Sequence, residues 1–154
     1  AAEEEEEYWN EVTAFFGYTF ERGEGGATIG LSYARKLTEG VGVGPFVDYV
    51  AGELDALAIG AGFFFRPFER ARDLTLFVGP GVDLVHEERE TEGHEEGHGG
   101  SSGKTWEAEF LIRLGILYGF DLGKGFRFVP AFYWDIISME RQAYVLGFEF
   151  GKEF

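Results

Sequence analysis

From about Glu11 to the end of the chain, large apolar side chains alternate with small or polar ones. The longest such stretch is Thr105 to Leu122. One parity holds Trp106, Ala108, Phe110, Ile112, Leu114, Ile116, Tyr118, Phe120 and Leu122. The other holds Thr105, Glu107, Glu109, Leu111, Arg113, Gly115, Leu117, Gly119 and Asp121. A period of two sorts side chains onto opposite faces of a β-strand, so the stretch predicts a long strand with one apolar and one mostly polar face. A helix would scatter Glu107, Glu109 and Arg113 around its surface and leave no clean apolar stripe.

The same alternation predicts seven more strands, at about 11–21, 27–37, 41–52, 56–68, 74–85, 126–136 and 144–154. Turn-forming residues separate them at 22–26, 38–40, 53–55, 69–73, 123–125 and 139–142, and one long loop spans about His86 to Lys104. Clustered glycines such as Gly25 and Gly26 suit the positive φ angles of hairpin turns. Eight consecutive strands joined as hairpins predict an all-β, eight-stranded antiparallel up-and-down barrel, because closure removes both sheet edges. The expected division is an acidic, disordered leader over residues 1–10, carrying the run Glu3 to Glu7, and one barrel domain over residues 11–154.

Which face lies inside follows from size. The interior of an eight-stranded barrel has room only for a modest set of side chains. The bulky parity is too large for it, whereas the other parity is dominated by Gly, Ala, Thr and Ser, with the charges Asp48, Asp83, Glu107, Glu109, Arg113, Asp135 and Glu149. The bulky face is therefore expected outside. An apolar outer face needs lipid, and a closed barrel is the only strand structure that pairs every backbone group in a bilayer. Aromatics recur near the strand ends on that face, among them Tyr18, Phe20, Tyr49, Phe63, Phe65, Tyr118, Phe120, Trp134 and Phe150. They predict two interfacial girdles. The fold class is thus a transmembrane β-barrel, with the lipid bilayer as its first partner.

Composition sharpens this picture. The 154 residues include 17 Phe and 24 Gly but only 4 Pro. No cysteine is present, which excludes disulfides and thiolate chemistry. A net charge of -15 argues against nucleic acid, whose phosphates need a basic surface. No run of 18 apolar residues forms a membrane helix. The start shows no basic segment followed by an apolar one, so a mature chain without a signal peptide is expected.

The segments FFGYTFE, GVGPFVDY, LFVGPGVDL and LGILYGFDLG, with a last strand ending in Phe154, resemble the small eight-stranded bacterial outer-membrane barrels, the group of outer-membrane proteins A, X and W. The resemblance implies an outer-membrane location and termini on the periplasmic side. It also implies short periplasmic turns, longer external loops, and a terminal aromatic, here Phe154, read by the outer-membrane assembly machinery. Such a barrel is expected to be a monomer.

Three site readings follow. First, the interior charges Asp48, Asp83, Glu107, Glu109, Arg113, Asp135 and Glu149 are expected to pair and plug the barrel, with a narrow small-solute or ion channel as the alternative. Second, His94-Glu95-Glu96-Gly97-His98 matches the H-E-x-x-H pattern, but that chemistry needs a helix, and Gly93, Gly97, Gly99 and Gly100 disfavour one at about 1 kcal/mol each. A solvated acidic loop is the simpler reading, with loose binding of a divalent metal through His94, His98 and His86 as a further alternative. Third, a lipid-modifying enzyme would need a base beside a nucleophile, yet all three His lie at or within the long loop, away from Ser32 and Ser138. The expectation is a non-enzymatic barrel without a cofactor, acting structurally or through its acidic external loops.

Overall fold

The computed structural model describes residues 9–38, 40–52, 55–66, 73–87, 105–138 and 141–154. Its strands are β1 (Asn10–Glu21), β2 (Glu24–Thr38), β3 (Val41–Gly52), β4 (Ala56–Phe65), β5 (Leu74–Glu87), β6 (Thr105–Tyr118), β7 (Phe120–Gly123), β8 (Phe126–Ile137) and β9 (Arg141–Glu153). Each pairs antiparallel with its sequence neighbour from β1 to β6, β8 pairs β9, and β9 pairs β1. The pairing of β6 with β8 closes the sheet. Because β7 continues the line of β6 along β8, the closed sheet is an eight-stranded barrel.

The predicted strand 105–122 is thus divided at Gly119. The Gly119 N–H leaves the regular ladder and donates to the Asp73 carbonyl at 2.8 Å, just before β5 begins. Beyond that point β7 pairs with β8 residues 126–128, which pair with β9 on their other side. Gly119 also lies beneath the Arg127 guanidinium, in space a Cβ would occupy. The positive φ angles of Lys124 and Gly125 then turn the chain.

At the first hairpin the turn is shorter than the glycine cluster suggests. Glu21 pairs directly with Glu24, and only Arg22 and Gly23 turn, both at positive φ as a two-residue hairpin of the primed type requires. Gly25 and Gly26 belong to β2. A Cβ on Gly25 would strike the Tyr18 ring, so this glycine gives room to a side chain and makes no turn.

The two parities separate as the size argument predicts. Phe16, Ile29, Leu31, Val47, Ile59, Val82, Phe110, Ile112, Leu114, Ile116, Phe132, Leu146 and Phe148 are exposed on the outer surface. Aromatics gather toward both ends of that surface. Tyr18 and Phe20 are 4.6 Å apart near one end, and Tyr118 and Phe120 are 5.2 Å apart near the other. The start of β1 and the end of the chain meet at the second end, where the backbones of Asn10 and Phe154 exchange hydrogen bonds of 3.0 and 2.8 Å. Pairing extends to residue 9, whose carbonyl accepts from Lys36 N–H at 2.8 Å, and the expected leader over residues 1–8 lies outside the described residues.

The inner parity is not only small and charged, since Phe15, Phe46, Phe77 and Tyr133 are buried inside and Phe64 packs on them. They form an edge-to-face cluster, with centroids 5.8 Å apart for Phe15–Tyr133 and Phe77–Tyr133 and 5.7 Å apart for Phe46–Phe77. Room for the rings comes from glycines on facing or adjacent positions. A Cβ would lie 2.6 Å from the Tyr133 ring at Gly115, 2.7 Å from Phe46 at Gly60 and 2.6 Å from Phe15 at Gly17. The glycine content therefore belongs largely to the barrel wall, where it converts backbone surface into seats for rings.

Candidate functional site

The barrel interior has three polar layers, stacked from the outer mouth to the end that carries the termini. The middle layer centres on Arg113 of β6, directly opposite Asp135 of β8. Its guanidinium donates to both Asp135 oxygens, from Nε to Oδ1 at 2.7 Å and from Nη2 to Oδ2 at 2.8 Å. The remaining Nη1 donates to Asp48 Oδ2 of β3, across the barrel. Asp48 can cross because it lies over Gly30, where a Cβ would overlap its carboxylate. Phe46 and Tyr133 flank the guanidinium carbon, with their centroids 4.8 and 4.9 Å from it. Arg113 is 4% exposed and both acids 5% exposed, so one buried cation is shared by two buried carboxylates. Beneath this layer the Tyr133 hydroxyl donates to Glu149 Oε1 of β9.

Toward the mouth, Arg141 of β9 ties three strands together. It donates from Nε to Glu21 Oε1 at 2.5 Å and from Nη2 to Glu21 Oε2 at 2.9 Å, a bidentate grip on β1. Its Nη1 donates to Glu109 Oε2 of β6 at 2.6 Å. Glu109 lies directly opposite Asp83 of β5, a like-charge pair that Arg141 relieves. Asp83 Oδ2 is 3.6 Å from Arg141 Nη2, an ionic contact too long for a hydrogen bond. At the terminal end, Arg127 of β8 contacts Glu11 Oε2 at 2.9 Å and Glu153 Oε1 at 3.5 Å, which pins β1 to β9. Arg66, just past β4, belongs to the same rim. Burial, and after it the charge of Arg127, lower its pKa, against the opposing pull of Glu11, Glu153 and Asp73.

Of the residues singled out from sequence, Asp48, Arg113 and Asp135 meet in one cluster. Asp83 and Glu109 meet around Arg141, and Glu149 binds Tyr133. Glu107 does not join them. It is exposed near the start of β6, opposite Val85. Phe154 is exposed, and its backbone pairs with Asn10. His94 and His98 lie outside the described residues, as does the His86 side chain. Sequence reasoning missed Arg141 because the turn was drawn over 139–142. The alternation was available to find it, since Val145 and Ala143 are inner residues and Arg141 continues their parity.

A closed antiparallel barrel with an apolar outer face, aromatic ends and ion pairs inside is a transmembrane β-barrel. The comparison with solved structures places it among the small eight-stranded outer-membrane barrels in fold. The chain matches the N-terminal β-barrel domain of Pseudomonas aeruginosa OprF with a TM-score of 0.68 and 11% identity, covering 96% of this chain and 98% of that one. Neisserial surface protein A matches with a TM-score of 0.62 and 8% identity over 96% and 97% of the two chains. Ail, the attachment invasion locus protein of Yersinia pestis, matches at 0.54 and 13% over 96% and 99%. No protein-family model and no curated protein sequence matches the chain. The likeness is one of architecture, which hosts several functions.

Proposed function

We propose that the chain is a non-enzymatic integral protein of the bacterial outer membrane, with a sealed interior and a structural or surface-interaction role carried by its acidic external segment 86–104. The observation that carries the seal is the Arg113 layer. One guanidinium spans from Asp135 to Asp48 between the rings of Phe46 and Tyr133, and on its inner side the aromatic cluster leaves a cavity of only about 20 Å³. That is space for about one water. Opening a path would separate a buried ion cluster joined by three hydrogen bonds, which is costly in a low dielectric. The external placement of 86–104 rests on topology, because the segment joins β5 to β6 at the end opposite the termini. The outer-membrane location, monomeric state and use of Phe154 in assembly rest on the fold likeness and the resemblance. Loose metal binding through His94, His98 and His86 remains a proposal about that same segment.

A second reading, a narrow ion path, draws on one observation: Asp48 and Arg113 line the cavities on both sides of the layer. Planar-bilayer recording separates the two. The sealed barrel gives no steady discrete conductance, and Arg113→Ala gains one. Steady unitary steps from the unaltered chain, abolished by Asp48→Asn, would establish the channel in place of the seal.

A further inference from the structure

We propose that the outer half of the barrel interior binds a small organic cation, an ammonium or guanidinium group on a short alkyl stem, with Asp83 as its anchoring carboxylate. Between the Arg113 layer and the mouth lies a cavity of about 220 Å³. It is below the ~300–1,000 Å³ of pockets for drug-sized ligands, so its guest is small. Six carboxylate residues line it against two arginines, which leaves a strongly negative interior.

The acidic lining alone would be only a solvated cluster. Asp83 makes the difference. Its side chain is 7% exposed, it faces the cavity, and its buried Oδ2 accepts no hydrogen bond. A buried carboxylate whose Oδ2 lacks a hydrogen-bond donor is costly, and a cation in the cavity beside this side chain offsets the charge that Arg141, at 3.6 Å, balances only in part.

The chemistry favours an organic cation over a metal. Among the described residues no group of three or more His, Asp or Glu is arranged to hold a metal ion. The walls between the acids are apolar, formed by Val50, Ala58, Val85, Ile137 and Ala143, and suit an alkyl stem. An ammonium or guanidinium donates several hydrogen bonds in different directions without needing a closed ligand sphere.

The test is calorimetric titration of the full chain in detergent micelles with n-butylguanidinium. 1-Butanol serves as the neutral probe and CaCl2 as the metal probe. The proposal expects saturable one-to-one binding of n-butylguanidinium and none of 1-butanol. It expects at least tenfold weaker binding in Asp83→Asn, weaker binding in Ala58→Val, which narrows the cavity, and no change in Glu153→Gln at the opposite rim. Amide chemical shifts should move most at Ala58, Asp83 and Ala143. Absence of saturable binding, full affinity in Asp83→Asn, or Ca²⁺ saturating the Asp83 site as tightly would each overturn it. Should Asp83→Asn fail to give a barrel by circular dichroism, Ala58→Val and the shift map decide. The seal is tested separately by conductance, and either result there leaves the binding prediction standing.

Discussion

The two halves of the barrel interior are built from the same number of strands, yet one is full and the other roomy. On the inner side of Arg113, four buried rings and Phe64 leave about 20 Å³. On the outer side, Ala56, Ala58, Ala143, Val50, Val85 and Thr19 leave about 220 Å³. Strand number sets the diameter, but the side chains decide whether it is filled. The full half places its rings over glycines, whereas the roomy half is lined by alanine and valine, with no aromatic ring among its described lining residues. The ion pairs divide in the same way. Arg113 is locked between two acids and two rings, while Arg141 is about one-fifth exposed and spans an open space.

The largest effect should come from Arg113→Ala. It leaves Asp48 and Asp135 buried without their cation, and the loss of folding stability should be about 3–5 kcal/mol. Urea unfolding from lipid vesicles measures it. Replacing the whole cluster, as in Arg113→Met with Asp48→Asn and Asp135→Asn, should recover much of that loss. If the triple variant is as unstable as the single one, stranded charge is not the cause.

On the outer surface, Leu114→Arg puts a cation on the lipid face directly beside Arg113 in sequence. The expected cost is about 2–4 kcal/mol near the bilayer midplane. A negligible cost would contradict the face assignment. Inside, Gly115→Val should displace the Tyr133 ring and cost about 1–3 kcal/mol, whereas Ala58→Val, facing the roomy half, should cost well under that. Equal penalties would erase the distinction between the halves. Tyr133→Phe, which strips the donor from Glu149, should cost about 1–3 kcal/mol and leave the ring packing intact. Arg141→Gln should cost less than Arg113→Ala, because water can reach Glu109 once the guanidinium is gone, although Glu21 and Asp83 stay buried without their cation.

Much of this was legible in the alternation. The parity of Phe110, Ile112, Leu114 and Ile116 placed the outer face, and that of Arg113 and Asp135 placed the inner one. Parity does not carry registry. Nothing along the chain says that Arg113 stands opposite Asp135, or that Asp48 reaches across to it. Those contacts depend on the stagger between strands and on the gap left by Gly30. The inner rings were visible one by one at positions 15, 46, 64, 77 and 133. Their clustering was not, because Phe15 on β1 and Tyr133 on β8 reach the rings of β3, β4 and β5 only on closure. Glycine was misassigned at Gly25 and Gly26 for the same reason, since a glycine seating a ring and a glycine turning a chain look alike in sequence. Arg141 was lost to a boundary placed three residues late.

The central claim is that the bulky face is the outer one and that lipid is its solvent. Refolding from urea, followed by circular dichroism and sedimentation with and without phospholipid vesicles, tests it most directly. With vesicles, the chain should acquire β-sheet and co-sediment with lipid as a cooperatively folded barrel. In buffer alone it should aggregate or stay unfolded. A monodisperse folded barrel in plain buffer would mean that Phe110, Ile112, Leu114 and Ile116 do not face a bilayer, and the account would be wrong.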